Sequence, residues 1–285
     1  MTTLLTILLF GCGGSGGNKE APTKKVVEQC AGQDLLTGNE CVSINDRDAI
    51  VYQPSSQVIE GVALFLHGAP GNASKVMGIF DAKSIADTYN LIALSPNGII
   101  STWGWLSVNN QESDNTDINY LNELLIQVKG NYGVTSDKLY IFGYSAGGFM
   151  AYKLACVMPE QISGVISLAG QFRGSLDDCS NSTPVNIHHF HNETDQEVPF
   201  DGLSTGYIMS VEQTIEHWRQ KNGCDETFVT TEQAGVTDSS YGTTTEFYDS
   251  CDKTVALSKM INVAHESNYM SDKLHDIYKY LLIAD

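Results

Sequence analysis

The chain has 285 residues, which is long enough for one α/β domain of ~200–250 residues with a leader in front of it. Hydrophobic residues make up 42% of the chain and aromatic residues 9%, so a sizeable core can be buried and wholesale disorder is excluded. The 34 acidic and 16 basic residues give a formal charge of -18, which repels phosphates and excludes nucleic acid as a partner.

The N-terminal segment predicts an export signal of the lipoprotein type over residues 1–11. Its apolar run is far shorter than the ~20 residues that a membrane-spanning helix needs. The sequence Leu9-Phe10-Gly11-Cys12 resembles a bacterial lipobox, which would make Cys12 the lipidated first residue and the only membrane contact. Plain secretion and a structural N-terminus are the alternatives. Residues 12–29, rich in glycine and polar side chains, predict a flexible tether to an exported, surface-anchored or extracellular protein.

The next segments predict a small disulfide-stapled piece at residues 30–48 and a catalytic domain at 49–285. Strand-like apolar runs occupy residues 49–52, 61–66, 91–94, 139–142, 164–168, 185–188 and 255–263. Helix-period segments occupy residues 81–89, 117–132, 146–158, 210–222 and 271–282. Strands that alternate with helices predict an α/β fold, with a mostly parallel central sheet and helices on both faces.

The cysteine count favours an oxidising compartment. With Cys12 set aside, six cysteines remain and can pair completely. Sequence alone leaves every connectivity open, but neighbours within one subregion suggest the pairs Cys30–Cys41, Cys156–Cys179 and Cys224–Cys251. No Cys-x-x-Cys and no cysteine–histidine cluster at ligand spacing occurs, so we predict no metal site.

The segment Gly143-Tyr144-Ser145-Ala146-Gly147 follows a predicted strand and precedes a predicted helix. That context is typical of a nucleophile elbow, in which the serine occupies a strained turn and its neighbours two residues away must be small. Ser145 would stand at a helix N-terminus, where free amides favour developing negative charge. A glycine-rich turn with an incidental serine is the alternative.

A nucleophilic serine needs a base, and the base needs an orienting carboxylate. We predict Asp195 as the acid, because it lies in an acidic loop after the strand at 185–188. We predict His265 as the base, because it follows the last strand and precedes the final helix. The resulting order, Ser then Asp then His, is that of α/β-hydrolases. The alternative acids are Glu193, Glu197, Asp177 and Asp178.

The remaining histidines have structural interpretations. His188, His189 and His191 crowd one strand end and suggest a metal cluster, but alternation along a strand points His188 and His189 to opposite faces. We therefore favour hydrogen bonding within the strand and its loop. His217 and His275 lie in helical stretches, where a surface or core role is expected.

An oxyanion hole needs two amides aimed at the developing charge. One is expected from Ala146, directly after the nucleophile. The other is expected from the glycine-rich turn His67-Gly68-Ala69-Pro70-Gly71, where Ala69 is the donor because Pro70 has no N–H. An ordinary loop is the alternative for this turn.

Taken together, these residues resemble the secreted feruloyl and acetylxylan esterases that share ancestry with polyhydroxybutyrate depolymerases. The matching pieces are Leu66-His67-Gly68, Ser95-Pro96-Asn97-Gly98 with Trp103, Tyr132-Gly133-Val134, residues 143–148 with Ala151-Tyr152, His191 through Asp195 to Val198-Pro199, and Cys224 with Cys251. The resemblance implies Ser145, Asp195 and His265 in the triad roles, and disulfides Cys156–Cys179 and Cys224–Cys251.

The resemblance also implies the activity, which is hydrolysis of feruloyl or acetyl esters of plant-type polysaccharide without a cofactor. A polyester depolymerase and a non-catalytic surface lipoprotein that binds glycan or a partner are the alternatives. We predict substrate contacts for His67, Tyr144, Trp103 and Trp105, with core packing as the alternative for the tryptophans. Two positions that flank the predicted acid and base depart from the family pattern: Val263-Ala264 replaces a glycine-rich turn before His265, and Asn192 stands where glycine is usual.

Overall fold

The computed structural model describes residues 29–30, 32–104, 116–179 and 183–283. The expected signal at residues 1–11, the lipidation site Cys12, most of the tether and Trp105 lie outside the described residues.

The described strands form one large sheet and one small ribbon. The strands are β1 Gln29–Cys30, β2 Gln33–Asp34, β3 Asn39–Ile44, β4 Arg47–Tyr52, β5 Gly61–Leu66, β6 Leu91–Pro96, β7 Leu139–Tyr144, β8 Gly164–Leu168, β9 Asn186–Asn192, β10 Phe228–Gln233, β11 Gly242–Tyr248 and β12 Val255–Ile261. The large sheet has the order β10-β11-β12-β9-β8-β7-β5-β6-β4-β3, and β1 pairs with β2 apart from it.

Six neighbouring strands, from β12 to β6, run parallel in the middle of the sheet. Antiparallel strands extend both sides: β4 and β3 beyond β6, and β11 and β10 beyond β12. The parallel strands end at the same edge of the sheet. Loops that follow them therefore meet there, as in other open α/β sheets.

Helices cover both faces of the sheet. They are α1 Ala73–Phe80, α2 Ala82–Tyr89, α3 Thr116–Asn131, α4 Ala146–Val157, α5 Val211–Lys221, α6 Ser271–Tyr278 and α7 Tyr280–Ile283. Residues of α3, α4 and α5 pack in one core cluster, and residues of α1, α2, α6 and α7 pack in the other. Alternate side chains of β5 point to opposite faces of the sheet, so both faces need cover. Val62 and Leu64 face the first cluster, whereas Ala63 and Phe65 face the second, and all are fully buried.

The predicted mostly parallel sheet with helices on both faces is confirmed, and each predicted apolar run forms a strand. Sequence analysis missed β1, β2, β3, β10, β11 and α1. Strand β10 is the edge strand and is mostly exposed, and β11 lies next to it; both are short of apolar residues. The boundary expected between residues 48 and 49 lies inside β4, so residues 39–48 extend the large sheet by a hairpin.

Three disulfides join segments that are close in the chain. They are Cys30–Cys41, Cys156–Cys179 and Cys224–Cys251, the pairs that chain neighbourhood suggested. Each closes a loop and so restricts the unfolded chain. Three such bonds are typical of exported proteins. No helix in the described part of the chain is both long and apolar enough to cross a membrane.

Candidate active site

Ser145 occupies the tight turn between β7 and α4. Its backbone has φ 53° and ψ -118°, a region that non-glycine residues rarely adopt. Its amide donates to the carbonyl oxygen of Leu168 at 2.9 Å, which fixes the turn to the neighbouring strand β8. Ser145 therefore has the strained geometry that a nucleophile elbow requires.

The glycines around Ser145 are required by close packing. A Cβ at Gly143 would come inside 3.0 Å of Gly147, and one at Gly147 would come inside 3.0 Å of the Leu66 carbonyl oxygen. Real Cβ atoms do not approach so closely, so either side chain would force the turn apart. The same pattern that marks the motif in the sequence thus lets β7 and α4 meet at a sharp angle.

His265 follows β12 and bridges Ser145 and Asp195. Its Nε2 lies 2.9 Å from the Oγ of Ser145, and its Nδ1 lies 2.7 Å from Oδ2 of Asp195. All three side chains are buried, with at most 8% of their surface exposed. A proton on Nδ1 donates to the carboxylate, and this leaves Nε2 free to accept the serine proton.

Asp195 follows β9 and is held by backbone amides. Its Oδ1 accepts from the N–H groups of Glu197 at 2.8 Å and Val198 at 2.9 Å. Burial of the carboxyl favours its neutral form, but the hydrogen bonds from His265 and these amides outweigh burial and lower the pKa of Asp195. The group is therefore an anion at neutral pH. The alternative acids Glu193, Glu197 and Asp177 have exposed side chains, and the structure places Asp195 on His265 Nδ1.

The two amides expected in the oxyanion hole lie in suitable segments. Ala146 is the first residue of α4, where helix N–H groups have no partner within the helix. Ala69 follows Gly68, and a Cβ at Gly68 would stand only 3.2 Å from the Cβ of Ser145. Neither amide has a hydrogen-bond partner among the described residues, so both can donate to an oxyanion.

His67, Trp103 and Tyr144, for which we predict substrate contacts, are buried and hydrogen-bond to loop backbone. Each is at most 2% exposed. His67 accepts from the amide of Gly98 at 2.9 Å, and Trp103 Nε1 donates to the His67 carbonyl at 2.8 Å. The hydroxyl of Tyr144 donates to the carbonyl of His265 at 2.9 Å. Their polar atoms thus hold the backbone around His67 and around His265.

An ion pair that sequence analysis missed, with Asp117 buried and Arg47 partly buried, holds the segment that ends at Gly104. Nη2 of Arg47 lies 2.6 Å from Oδ1 of Asp117 and also donates to the carbonyl of Asn97 at 3.1 Å. The other oxygen of Asp117 accepts from the Gly104 amide at 2.5 Å. The partners are far apart in the chain, so no local pattern could have paired them.

Asn192, the departure from glycine in the acid motif, links the loops that carry Asp195 and His265. Its Nδ2 donates to the carbonyl of Val263 at 2.6 Å and to the hydroxyl of Thr194 at 3.1 Å. Asn192 is 6% exposed. The residue therefore ties the turn that carries Asp195 to the segment two residues before His265.

The three histidines of β9 are fully buried and hydrogen-bonded, as the strand interpretation predicted. His189 lies between the Tyr152 hydroxyl at 3.0 Å and His191 at 3.1 Å, and His191 donates to the Val198 carbonyl at 2.8 Å. His188 points to the other face and contacts Ser258 at 2.7 Å. Burial lowers the pKa of His188 to about 3 and that of His191 to about 4, so both are neutral at pH 7.

Metal-ligating side chains converge at one place among the described residues, namely Cys30, Cys41 and Asp48. The two cysteines are joined in a disulfide and offer no thiolate. The structure therefore gives no reason to route the chemistry through a metal held there.

Comparison with known proteins finds similarity to esterases. The chain is 28% identical over 234 residues to probable feruloyl esterase C of Aspergillus niger, covering 79% of this chain and 78% of that protein. It is 26% identical over 183 residues to NocK of Nocardia uniformis, which is named as an esterase, covering 58% of this chain and 52% of NocK. The matched segment thus spans about half of NocK.

Among solved structures, acetyl xylan esterase from Aspergillus awamori has the same fold, with a TM-score of 0.62 and 14% identity over 86% of this chain and 99% of that one. S-formylglutathione hydrolase from Agrobacterium tumefaciens has a TM-score of 0.57 and 13% identity over 90% and 99%. The fold and the site define an α/β-hydrolase. The sequence pattern of the phospholipase/carboxylesterase family matches residues 48–221, more than half of the chain. The protein belongs to this family, and membership places it among the carboxylic ester hydrolases.

Proposed function

We propose that the protein is an exported serine carboxylesterase in which Ser145, His265 and Asp195 form the catalytic triad. The observation that carries the proposal is the continuous hydrogen-bond chain from Asp195 through His265 to Ser145, at 2.7 and 2.9 Å, which ends on a strained serine. Such a chain suits acyl transfer, because the serine must lose a proton as it attacks and His265 is placed to take it.

In the first half-reaction, Nε2 of His265 accepts the Ser145 proton while Oγ attacks the ester carbonyl. The amides of Ala146 and Ala69 then donate to the tetrahedral oxyanion. His265 returns the proton to the leaving alcohol, and an acyl-serine remains. Water repeats the cycle: His265 takes a proton from it, the hydroxide attacks the acyl-serine, and Oγ recovers its proton as the acid departs. Asp195 stays ionised throughout and stabilises the imidazolium that forms twice.

The substrate we propose is a feruloyl or acetyl ester of plant-type polysaccharide. Support comes from the similarity to feruloyl esterase C of Aspergillus niger and from the resemblance of the motifs. A panel of methyl ferulate, acetylated xylan and polyhydroxybutyrate tests this choice, with kcat/KM or product release measured for each. Preference for polyhydroxybutyrate would make the protein a polyester depolymerase instead.

Hydrolysis of p-nitrophenyl acetate tests the serine mechanism itself. We expect Ser145→Ala to reduce kcat by several orders of magnitude, because the nucleophile is removed while the fold is kept. Hydrolysis that continues unchanged in Ser145→Ala would contradict the triad. A purified wild-type protein without esterase activity that still binds glycan would instead support a non-catalytic surface lipoprotein.

We further propose that Cys12 carries a lipid anchor and that the protein is surface-exposed. Support comes from the lipobox-like segment and from three disulfides, which suit an oxidising compartment. Labelling with radioactive palmitate in a bacterial host should mark the wild-type chain and not Cys12→Ser. Equal labelling of both would contradict the anchor.

A further inference from the structure

An ion pair joins two segments of the candidate site that are far apart in the chain. Nζ of Lys75 lies 2.6 Å from Oε2 of Glu266, across a sequence separation of 191 residues. Lys75 lies in the first turn of α1, the helix that follows the turn expected to provide the amide of Ala69. Glu266 directly follows His265. The pair therefore connects the segment after the oxyanion turn to the segment that carries the proposed base.

The charge of Lys75 is stabilised by contacts outside its own helix. The first turn of a helix is the positive end of the helix dipole, which disfavours a cation. The backbone N–H of Lys75 donates to the side chain of the N-cap residue Asn72 at 2.9 Å, so the start of the helix is fixed. From there Nζ of Lys75 stands over the ring of Tyr144, 5.8 Å from its centroid, which is within reach of a cation–π contact. Tyr144 and Glu266 thus compensate for the unfavourable position of the lysine in α1.

The ring of Tyr144 also supports the backbone of His265. The hydroxyl of Tyr144 donates to the carbonyl of His265 at 2.9 Å, and the hydroxyl of Tyr269 donates to the same carbonyl at 3.0 Å. The ring centroids of Tyr144 and His265 are 5.5 Å apart. Lys75, Tyr144 and Glu266 therefore surround the backbone that carries the imidazole. A shift of Glu266 would move the residue whose imidazole must align with the nucleophile.

The ion pair also balances charge beside the imidazole. Burial favours the neutral form of Glu266, but the hydrogen bond from Lys75 and the hydroxyl of Tyr144 outweigh burial and lower the pKa of Glu266. Glu266 is therefore an anion at neutral pH. A carboxylate without a cation next to His265 would favour the imidazolium, which cannot accept the serine proton. The ammonium group of Lys75 offsets that carboxylate.

Other titratable groups also face His265, and the variants below leave them unchanged. They are Asp195 and Glu197 in the turn after β9, His191 in β9, Tyr144 at the end of β7 and Tyr269 in the segment after His265. A change in the protonation of the imidazole between the variants therefore reports the charges of Lys75 and Glu266.

We propose that Lys75 and Glu266 are positioning residues, which form a charge-balanced clamp on His265. The clamp holds the histidine segment against α1, and its cation prevents the neighbouring carboxylate from stabilising the protonated base. This inference rests on the proposed function and deepens it, because the clamp acts on the base of the same site.

The test measures kcat and kcat/KM for p-nitrophenyl acetate with the full-length protein from about pH 5 to about pH 8, since the acidic limb of kcat/KM reports protonation of the base in the free enzyme. Lys75→Met leaves the carboxylate of Glu266 without its cation, so the midpoint of that limb should rise by about 0.5 pH unit. Glu266→Gln leaves the ammonium without its anion, so the midpoint should fall by about 0.5 pH unit. The double variant removes both charges and should lie within about 0.2 pH unit of wild type.

The loss of the clamp should also lower kcat on the pH plateau. We expect a decrease of about threefold in either single variant with KM unchanged, a size that suits a partly exposed ion pair. Lys75→Arg keeps the charge and should keep the wild-type midpoint and kcat. In about 1 M NaCl the midpoint shifts should fall to less than about half, because salt screens exposed charges.

A second ion pair provides a matched control. Nζ of Lys279 lies 2.9 Å from Oδ1 of Asp276 at the end of α6, and the exposure of the two side chains is similar to that of Lys75 and Glu266. Lys279→Met should therefore keep the wild-type midpoint and kcat. Melting temperatures within a few degrees of wild type would show that each variant is folded.

Histidine NMR measures the same midpoint without turnover. The resonance of His265 is identified in Ser145→Ala by its loss on the further substitution His265→Gln. In the Ser145→Ala background, Lys75→Met should raise the midpoint of this resonance and Glu266→Gln should lower it.

The outcomes for the clamp and for the proposed function are distinguishable. If the wild-type protein hydrolyses no ester, the proposed function fails, while the NMR titration still decides whether the clamp acts on His265. If the ester is hydrolysed but Lys75→Met and Glu266→Gln keep the wild-type midpoint and kcat, the esterase stands and the clamp is overturned. Midpoints that move in the same direction in both variants would also overturn it, because the variants remove opposite charges.

Discussion

Replacement of Asp195 by asparagine tests how the structure activates His265. Asparagine has the same shape, and its Oδ1 can still accept from the amides of Glu197 and Val198, so the turn is retained. Its Nδ2, however, is a donor that faces Nδ1 of His265, where the carboxylate now lies at 2.7 Å. The histidine then accepts at Nδ1 and carries its proton on Nε2, which points that proton at Ser145 and removes the base.

We expect Asp195→Asn to lower kcat by about 10⁴-fold, equivalent to about 5.5 kcal/mol in the activation free energy, as when a triad aspartate is neutralised elsewhere. The melting temperature should change by only a few degrees, since the amide bonds remain. Initial rates with p-nitrophenyl acetate and thermal unfolding measure the two effects. The control Glu193→Gln removes an exposed carboxylate two residues away and should keep wild-type rates. A kcat above one tenth of wild type in Asp195→Asn would refute this account and direct attention to Glu197.

Three further substitutions or conditions give distinct outcomes. Gly147→Ala should abolish activity and lower the unfolding free energy in urea by about 1–3 kcal/mol, because the added Cβ overpacks the turn. The control Gly130→Ala, whose Cβ would have no neighbour within 4 Å, should leave the unfolding free energy unchanged or raise it. The buried histidines of β9 stay neutral in the folded protein but bind protons when it unfolds. The unfolding free energy should therefore fall below about pH 6 by about 1.4 kcal/mol per pH unit for each histidine. An unfolding free energy that does not change between pH 6 and 5 would contradict their burial as neutral groups. Asn192→Ala should lower the unfolding free energy in urea by about 1–3 kcal/mol and reduce kcat, because the buried carbonyl of Val263 loses its donor. An unchanged kcat would show that the loops of Asp195 and His265 align without this hydrogen bond.

Local chemistry explains why some features were predictable from the chain. Central parallel strands are buried on both faces, so their apolar runs are visible in the sequence, and the elbow needs glycines at fixed positions on either side of Ser145. Edge strands such as β10 carry no such signal because water covers most of their surface. Their pairing became clear only from the register of the sheet.

The sequence by itself predicted the central apolar strands, the elbow at Ser145 and the candidate acid and base after later strands, because each depends on short-range patterning. It could not determine which side chains meet. The burial of His67, Trp103 and Tyr144, the pair Arg47–Asp117 and the link from Asn192 to Val263 were decided by tertiary structure, since each joins segments that become neighbours only when the parallel strands align. The elbow at Ser145 is thus visible in the chain, whereas the loops that the sheet brings beside His265 are not.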